Sequence, residues 1–327
     1  MSTTTPYSIS AEAAVARIKP GRTIEGISAV LLPFKADGSH DLEAYTNLLS
    51  RTWNAGITPS VNMDTGYSNL LTEEERVKIL DLTKEVAAGR PFVAGAFVEG
   101  KPGDVKDLYL EQIEKITKRG GTPILFQCTP VKAMTDDQVV ALYTELGKAT
   151  PAFLGFELGE MFVPFGKIYS IETYEKLMQI PSLKGSKHSS LDRVLEWQRL
   201  ELRDRVRPDF KVYTGNDLAI DMVIYGSDYL LGLSAFHPEA FALRDKMWKE
   251  NRAEFFPLND LLQYLGFLAF RPPVPAYKHN AAQFLKLRGL LSCDDTHPKA
   301  TPRPQSDVAI LANIQERLDA MVASITI

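Results

Sequence analysis

Apolar residues fall in short runs along this chain, and each run is bounded by Gly, Pro or polar residues. Eight such runs occur in order, at 26–33, 58–63, 91–98, 122–127, 152–158, 182–187, 210–214 and 228–234. Runs of this length and setting predict buried parallel strands. The stretches between them carry apolar positions at helical spacing. Over 41–55, Leu42, Tyr45, Leu48, Leu49 and Trp53 share one face. Thr72 followed by Glu75 reads as a capping box, and it opens a helix with Ile79, Leu82 and Val86 on its apolar side. Further helices are predicted over 105–119, 136–148, 171–178, 190–206 and 217–225.

Strand and helix thus alternate about every 30 residues, the size of a βαβ unit. Alternation predicts a parallel sheet, and eight repeats predict its closure into a (β/α)8 barrel, an α/β fold. A Gly-x-Gly-x-x-Gly turn does not follow the first strand, so a dinucleotide-binding sheet has no support. After the eighth strand the pattern stays helical, over 259–270, 276–291 and 306–324, with a proline-rich loop over 296–304. The expected organisation is an N-terminal segment over 1–20, the barrel over 21–245 and a helical extension over 246–327.

Composition narrows the function. Of 327 residues, 45% are hydrophobic and 24% charged, as in a globular protein with a large core. The net charge of −4 offers no basic excess for a phosphate backbone, so nucleic acid is not an expected partner. The two cysteines, Cys128 and Cys293, exclude a disulfide framework and a Cys-rich zinc site. Met1 to Ser10 lacks the charged and apolar regions of a signal peptide, and no apolar run is long enough to span a membrane. A cytoplasmic location without membrane partners is the expectation.

Chemistry in such a barrel sits at the C-terminal ends of the strands. That rule selects 64–67 after the second strand, Glu99 after the third, Glu157 on the fifth, Lys187 and His188 on the sixth, 215–217 after the seventh, and Ser234 after the eighth. Successive strand residues point to opposite faces, so Lys187 and His188 are expected in different environments.

Several of these segments, taken together and in order, resemble the dihydrodipicolinate synthase and N-acetylneuraminate lyase family of class I aldolases and dehydratases. Residues 26–38 (GISAVLLPFKADG) resemble its first strand and Pro-Phe-x-x-x-Gly turn, and 64–67 (DTGY) stand where it has a Gly-Thr-Thr-Gly-Glu loop. Residues 185–192 (GSKHSSLD) resemble its Gly-x-Lys-x-Ser-x-x-Asp lysine strand, 215–217 (GND) its loop after strand 7, and 273–278 (PVPAYK) the start of its C-terminal helix. The resemblance implies that Lys187 attacks a carbonyl to form an imine. The protonated imine is an electron sink that lets a neighbouring bond form or break. It implies no cofactor, a small-molecule carbonyl substrate, and a homo-oligomer, a dimer or a tetramer.

Three departures matter. The family's fifth strand usually carries a proton-relaying tyrosine, whereas Phe156 lies nearest that place here. The first of two threonines in the strand 2 loop is replaced by Asp64, whose charge would repel a substrate carboxylate by roughly 1–4 kcal/mol. The strand 4 loop, 126–132 (FQCTPVK), has no tyrosine to lend across a dimer. These changes turn the expectation away from a pyruvate-condensing synthase and toward a lyase, aldolase or dehydratase on another keto acid or keto sugar. Lys187, Asp64 and Glu157 are the expected catalytic groups, with Asp64 or Glu157 in place of the relay tyrosine. Thr65, Gly66, Tyr67, Phe156, Gly215, Asn216 and Ser234 are the expected substrate contacts.

Each has a plainer alternative. Lys187 could snorkel out of the barrel end, Asp64 could cap its turn, Tyr67 could pack, and Asn216 could cap the next helix. Two other functions stay open. Glu157, His188, Asp217 and Glu99 could serve a metal-dependent sugar isomerase or epimerase, although their spacing matches no ligand signature. A barrel without its relay tyrosine could also bind a ligand without turning it over.

Overall fold

The structure is a computed structural model that describes residues 10–326; residues 1–9, where a leader would be sought, lie outside it. All eight expected strands form. They are β1 (Gly26–Ala29), β2 (Thr58–Val61), β3 (Val93–Ala96), β4 (Thr122–Leu125), β5 (Phe153–Leu158), β6 (Leu183–Ser189), β7 (Lys211–Thr214) and β8 (Asp228–Leu231). They pair in parallel and in sequence order, and β8 closes on β1. The polypeptide is therefore a TIM barrel with a helical C-terminal extension.

Strand alternation divides the core into two layers. Leu154, Phe156 and Leu158 of β5 point into the barrel, with Ile27, Ile124, Phe126 and Leu230 from other strands. Phe153 points outward, into the layer between strands and helices that holds Tyr45, Ile79, Ile113 and Leu200. Helices follow where the apolar stripes predicted them. Asp41 caps Leu42–Asn54, and Thr72 with Glu75 forms the expected capping box on Glu73–Ala87. A second such box, Thr135 with Gln138, opens Asp136–Leu146.

Besides the short unforeseen helices Ala11–Ala16 and Thr129–Ala133, two further elements differ from expectation. Residues 217–225 do not form an α-helix; a 3-10 turn, Ile220–Tyr225, stands there instead. Backbone groups of this stretch are taken by side chains. The Asn216 side-chain oxygen accepts from the Leu218 amide at 3.1 Å, and Gln263 bridges the Ile220 amide and the Asp217 carbonyl at 2.9 and 3.1 Å. Such local bonds compete with a helical ladder. An additional helix, Pro238–Lys249, crosses the 245/246 boundary between barrel and extension. His237 caps it and Pro238 occupies its first turn, a start signal present in the sequence.

The extension comprises Phe255–Ala269, Tyr277–Leu287 and Asp307–Thr326. The start of Tyr277–Leu287 reaches the turn after β2, where Tyr277 meets Thr65.

Candidate active site

A cavity opens among the C-terminal ends of β2, β5, β6, β7 and β8. Its lining includes Asp64, Thr65, Phe156, Lys187, Ser189, Gly215, Asp217, Gly232, Phe270 and Tyr277, and about 340 Å³ of space lies between these atoms, part of it open to solvent. Little of that space is enclosed, which suits a compact substrate.

Lys187 lies on β6 between Phe156 of β5 and Tyr213 of β7. It is 9% exposed. Its Nζ sits 4.5 Å from the centre of the Phe156 ring, and among the described residues it has neither an ion pair nor a hydrogen bond. Burial pushes the amine below its ordinary value, against the pull of the Asp217 and Asp64 carboxylates. Gly215 makes room for it: a Cβ at that position would stand 2.6 Å from Lys187 Cε and 2.1 Å from Ser189 Oγ. Glycine there is demanded by the lysine stem as much as by any ligand.

Asp217 is the second buried titratable group of the cavity. Burial raises its carboxyl to about 7, offset in part by the Lys187 charge and by the amides of Leu233 and Gly232. One oxygen accepts from the Leu233 amide at 2.8 Å. An amine with a lowered pKa therefore shares the cavity with a carboxyl raised to about 7.

Asp64 stands in a 3-10 turn, Asp64–Gly66, at the end of β2. It is not the bare carboxylate that the sequence implied. Lys278 Nζ lies 3.0 Å from both of its oxygens, and the Tyr277 hydroxyl donates to one of them at 3.0 Å. With its charge matched by Lys278, the repulsion expected toward a substrate carboxylate is largely offset. The Tyr277 hydroxyl also meets Thr65 Oγ1 at 2.7 Å, and its ring stacks on Phe270 at 4.2 Å between centroids. Thr65, expected as a substrate contact, lines the cavity while engaged with Tyr277.

Other expected site residues do not gather here. Glu157, expected as an acid or base, points out of the barrel and is fully buried behind it. Its carboxylate binds Arg199 through two contacts at 3.0 and 2.7 Å and His188 Nδ1 at 2.7 Å. Burial alone would raise its pKa, but Arg199 and His188 outweigh that and hold it at about 2. An acid this strong, outside the cavity, does not fit the expected role. Tyr67 is packed edge-on against Phe34 and stacked near His297, with no share in the cavity wall. Gly66 also stays outside the wall. Asn216 caps its own turn, and Ser234 donates to Ser28 Oγ and the Leu231 carbonyl at 2.8 and 3.0 Å. The Ser234 hydroxyl and the Asn216 side-chain oxygen are thus engaged by the fold.

The four residues considered as metal ligands are also scattered. Glu157 and His188 lie behind the barrel wall, and Glu99 accepts from the amide and hydroxyl of Thr129. Among the described residues, no group of three or more His, Cys, Asp or Glu converges as a metal site would require.

Sequence reasoning missed Tyr277, Lys278, Phe270, Ser189, Gly232 and the loop residue Phe162. The string PVPAYK carried Tyr277 and Lys278 in plain view. Nothing local, however, says that the first turn of a helix more than 200 residues away reaches the strand 2 loop.

No family model matches the chain. By sequence it is 26% identical over 251 residues to the 4-hydroxy-tetrahydrodipicolinate synthase of Cytophaga hutchinsonii, a match covering 73% of this chain and 81% of that one. It is 25% identical over 214 residues to the enzyme of the same name from Kosmotoga olearia, covering 63% and 68%. By structure it superposes with a TM-score of 0.78 on a monomeric dihydrodipicolinate synthase variant, at 21% identity, covering 93% of this chain and 99% of that one. An Escherichia coli prophage protein of the dihydrodipicolinic acid synthase family, solved in complex with pyruvate, gives a TM-score of 0.78 at 16% identity and covers 90% and 98%.

Proposed function

We propose that this chain, a divergent member of the dihydrodipicolinate synthase family, is an aldolase-type lyase that works through an imine on Lys187. The substrate is a small 2-keto acid or keto-sugar derivative. The observation that supports this reading best is the state of Lys187. It is a buried, unpaired amine with a depressed pKa at the wall of the barrel's C-terminal cavity.

Imine chemistry needs these conditions. The neutral amine adds its lone pair to the carbonyl carbon, giving a carbinolamine. The carbinolamine hydroxyl takes a proton and leaves as water, and the iminium forms. A bond to the adjacent carbon then breaks, and its electron pair flows toward the iminium nitrogen to give an enamine. A proton at that carbon, or a carbon–carbon bond, can supply the pair; an enamine can also expel a hydroxyl one carbon further on as water. Burial shifts the amine toward its neutral, nucleophilic form, and Asp217 beside it is suited to give and take the proton of the carbinolamine step.

The cavity's size and the Phe156 ring against the amine favour a compact carbonyl compound. The Asp64–Lys278 pair leaves the strand 2 end with little net charge, so both a keto acid and an uncharged keto sugar remain compatible with it. A metal-dependent isomerase has no support, because its donors do not converge and Lys187 would have no role.

The test is borohydride trapping with a panel of 2-keto acids and ketoses, read by intact mass and peptide mapping. A reduced adduct on Lys187 is expected. Turnover of a substrate that leaves no adduct on Lys187 would sink the reading, and binding without any turnover would identify a ligand-binding barrel instead.

A further inference from the structure

Imine chemistry at Lys187 creates a proton problem that the fifth strand does not solve. Phe156 is paired with Lys187 in register, and its ring has no exchangeable proton. Two other phenols are placed elsewhere. The Tyr213 hydroxyl donates to Glu25 at 2.5 Å, at the other end of the barrel, and Tyr67 packs among Phe34 and His297. Among the described residues that line the cavity, Tyr277 is the one tyrosine.

Its surroundings are those of a relay and not of a packing residue. The hydroxyl lies within 2.7 Å of Thr65 Oγ1 and donates to Asp64 at 3.0 Å. Asp64 is fixed in turn by Lys278, the next residue of the same helix, which is buried at 5% exposure. Phe270 supports the back of the ring. Gly232 allows the approach: a Cβ there would stand 3.0 Å from the Tyr277 ring and 3.2 Å from Thr65 Oγ1. A phenol, a threonine hydroxyl and a carboxylate thus meet on one wall of the cavity that holds the amine.

We propose that Tyr277 is a catalytic residue of this site, relaying the proton between the carbon next to the imine and the Asp64 carboxylate, with Lys278 as the positioning residue that holds Asp64. The proposal rests on the imine reading of Lys187. In the step, the C–H bond next to the iminium breaks and its electron pair forms the enamine double bond, while the iminium π pair moves to nitrogen. The proton goes to the Tyr277 oxygen as that oxygen passes its own proton to Asp64. Charge balances: iminium and carboxylate become enamine and carboxylic acid. Burial raises the phenol far above its ordinary value, so it works by this exchange of protons and not as a free phenolate. The relay arrives from the C-terminal extension of the same chain, so it needs no residue from a second copy.

The experiment uses pyruvate and hydroxyacetone as probes in D2O, on the full chain. Proton NMR follows exchange of their methyl hydrogens, and borohydride with intact mass follows the adduct on Lys187. Tyr277→Phe keeps the ring against Phe270. It should still accumulate the Lys187 adduct on long incubation, with a melting temperature lowered by only about 2–4 °C for the lost hydrogen bonds, while exchange falls roughly 100-fold or more. Thr65→Val, which keeps the phenol and removes one of its partners, should lose about tenfold in exchange. Exchange in Tyr277→Phe within about threefold of the parent would overturn the relay. A parent protein that gives neither exchange nor adduct with either probe refutes the imine reading, and the relay with it. If Tyr277→Phe fails to fold, the Thr65→Val rate decides: parent-like exchange there overturns the proposal.

Discussion

Lys187 and His188 are neighbours on β6, yet they live in opposite electrostatic worlds. On the inner face, Lys187 is buried with no ion pair, and its amine is pushed toward the neutral form. On the outer face, His188 sits in a closed network: Glu157 at Nδ1, Ser190 at Nε2, and Arg199 holding the same carboxylate. Here burial does not neutralise the carboxylate, because charge-assisted hydrogen bonds replace the water it lost. The difference teaches that burial alone does not decide a charge. A buried charge with partners within hydrogen-bond reach persists and ties elements together. One without them is disfavoured, and the group shifts toward its reactive neutral form.

The comparison can be broken from either face. The largest effect is expected on the inner one. Lys187→Ala should lower turnover by roughly a thousandfold or more, since the covalent route is gone, while circular dichroism and thermal melting show an intact fold. Activity within tenfold of the parent would remove Lys187 from the mechanism. On the outer face, Glu157→Ala strands Arg199 and His188 without their carboxylate. Chemical denaturation should show a loss of ~3–5 kcal/mol, while adduct formation on Lys187 persists in the folded fraction. A stable but inactive variant would return Glu157 to the active site.

The pH dependence should have the same sign on both faces but fall in different windows, one set by a penalty and the other by a gain. The Lys187 amine titrates lower in the fold than in the unfolded chain. Between those two values the unfolded chain binds more protons, so stability rises with pH through that window, and the full cost of burial stands below it. Lys187→Met should therefore stabilise the protein near pH 7, by on the order of 1 kcal/mol, and the gain should fade toward alkaline pH. Glu157 shares that slope in an acidic window, where a stabilising contribution is at stake and not a cost. Its folded carboxyl is held at about 2, so its contribution is present above the ordinary carboxylate range and is lost as pH falls toward 2. Urea titrations across pH check both windows; a gain for Lys187→Met that grows with pH contradicts the lowered amine pKa. The smallest effect is expected at Ser234→Ala. It removes a hydroxyl bonded only to Ser28 and Leu231, so it should cost about 1 kcal/mol and leave adduct formation on Lys187 unchanged.

Much of the fold was legible because its signals are local. Short apolar runs with Gly and Pro borders gave all eight strands. Capping at Thr72 and the stripe over Leu42, Tyr45 and Leu48 gave helices at the right places. The expected helix at 217–225 failed because Gln263, from the extension, occupies its backbone groups. No local pattern announces such a partner. The strand-end rule likewise put Lys187, Asp64, Thr65 and Gly215 on the cavity wall, and the family resemblance added Phe156. It could not separate inward from outward residues at turns, so Tyr67, Asn216 and Ser234 were drawn in with them. Glu157 went astray for a different reason. Its neighbours Phe156 and Leu158 face the cavity, and strand alternation alone would have turned it outward.

The sequence by itself determined the barrel, the lysine strand and the departures at Asp64 and Phe156. Periodicity, turn chemistry and residue type are written into consecutive positions. Only the tertiary structure decided the electrostatic state of the site. Whether Asp64 repels a substrate depends on Lys278, and whether a phenol reaches the cavity depends on where Tyr277 lands. Both are set by how the extension packs over the barrel end, and hydrogen bonds of about 3 Å between residues 213 and 214 positions apart belong to the fold and not to any local stretch of the chain.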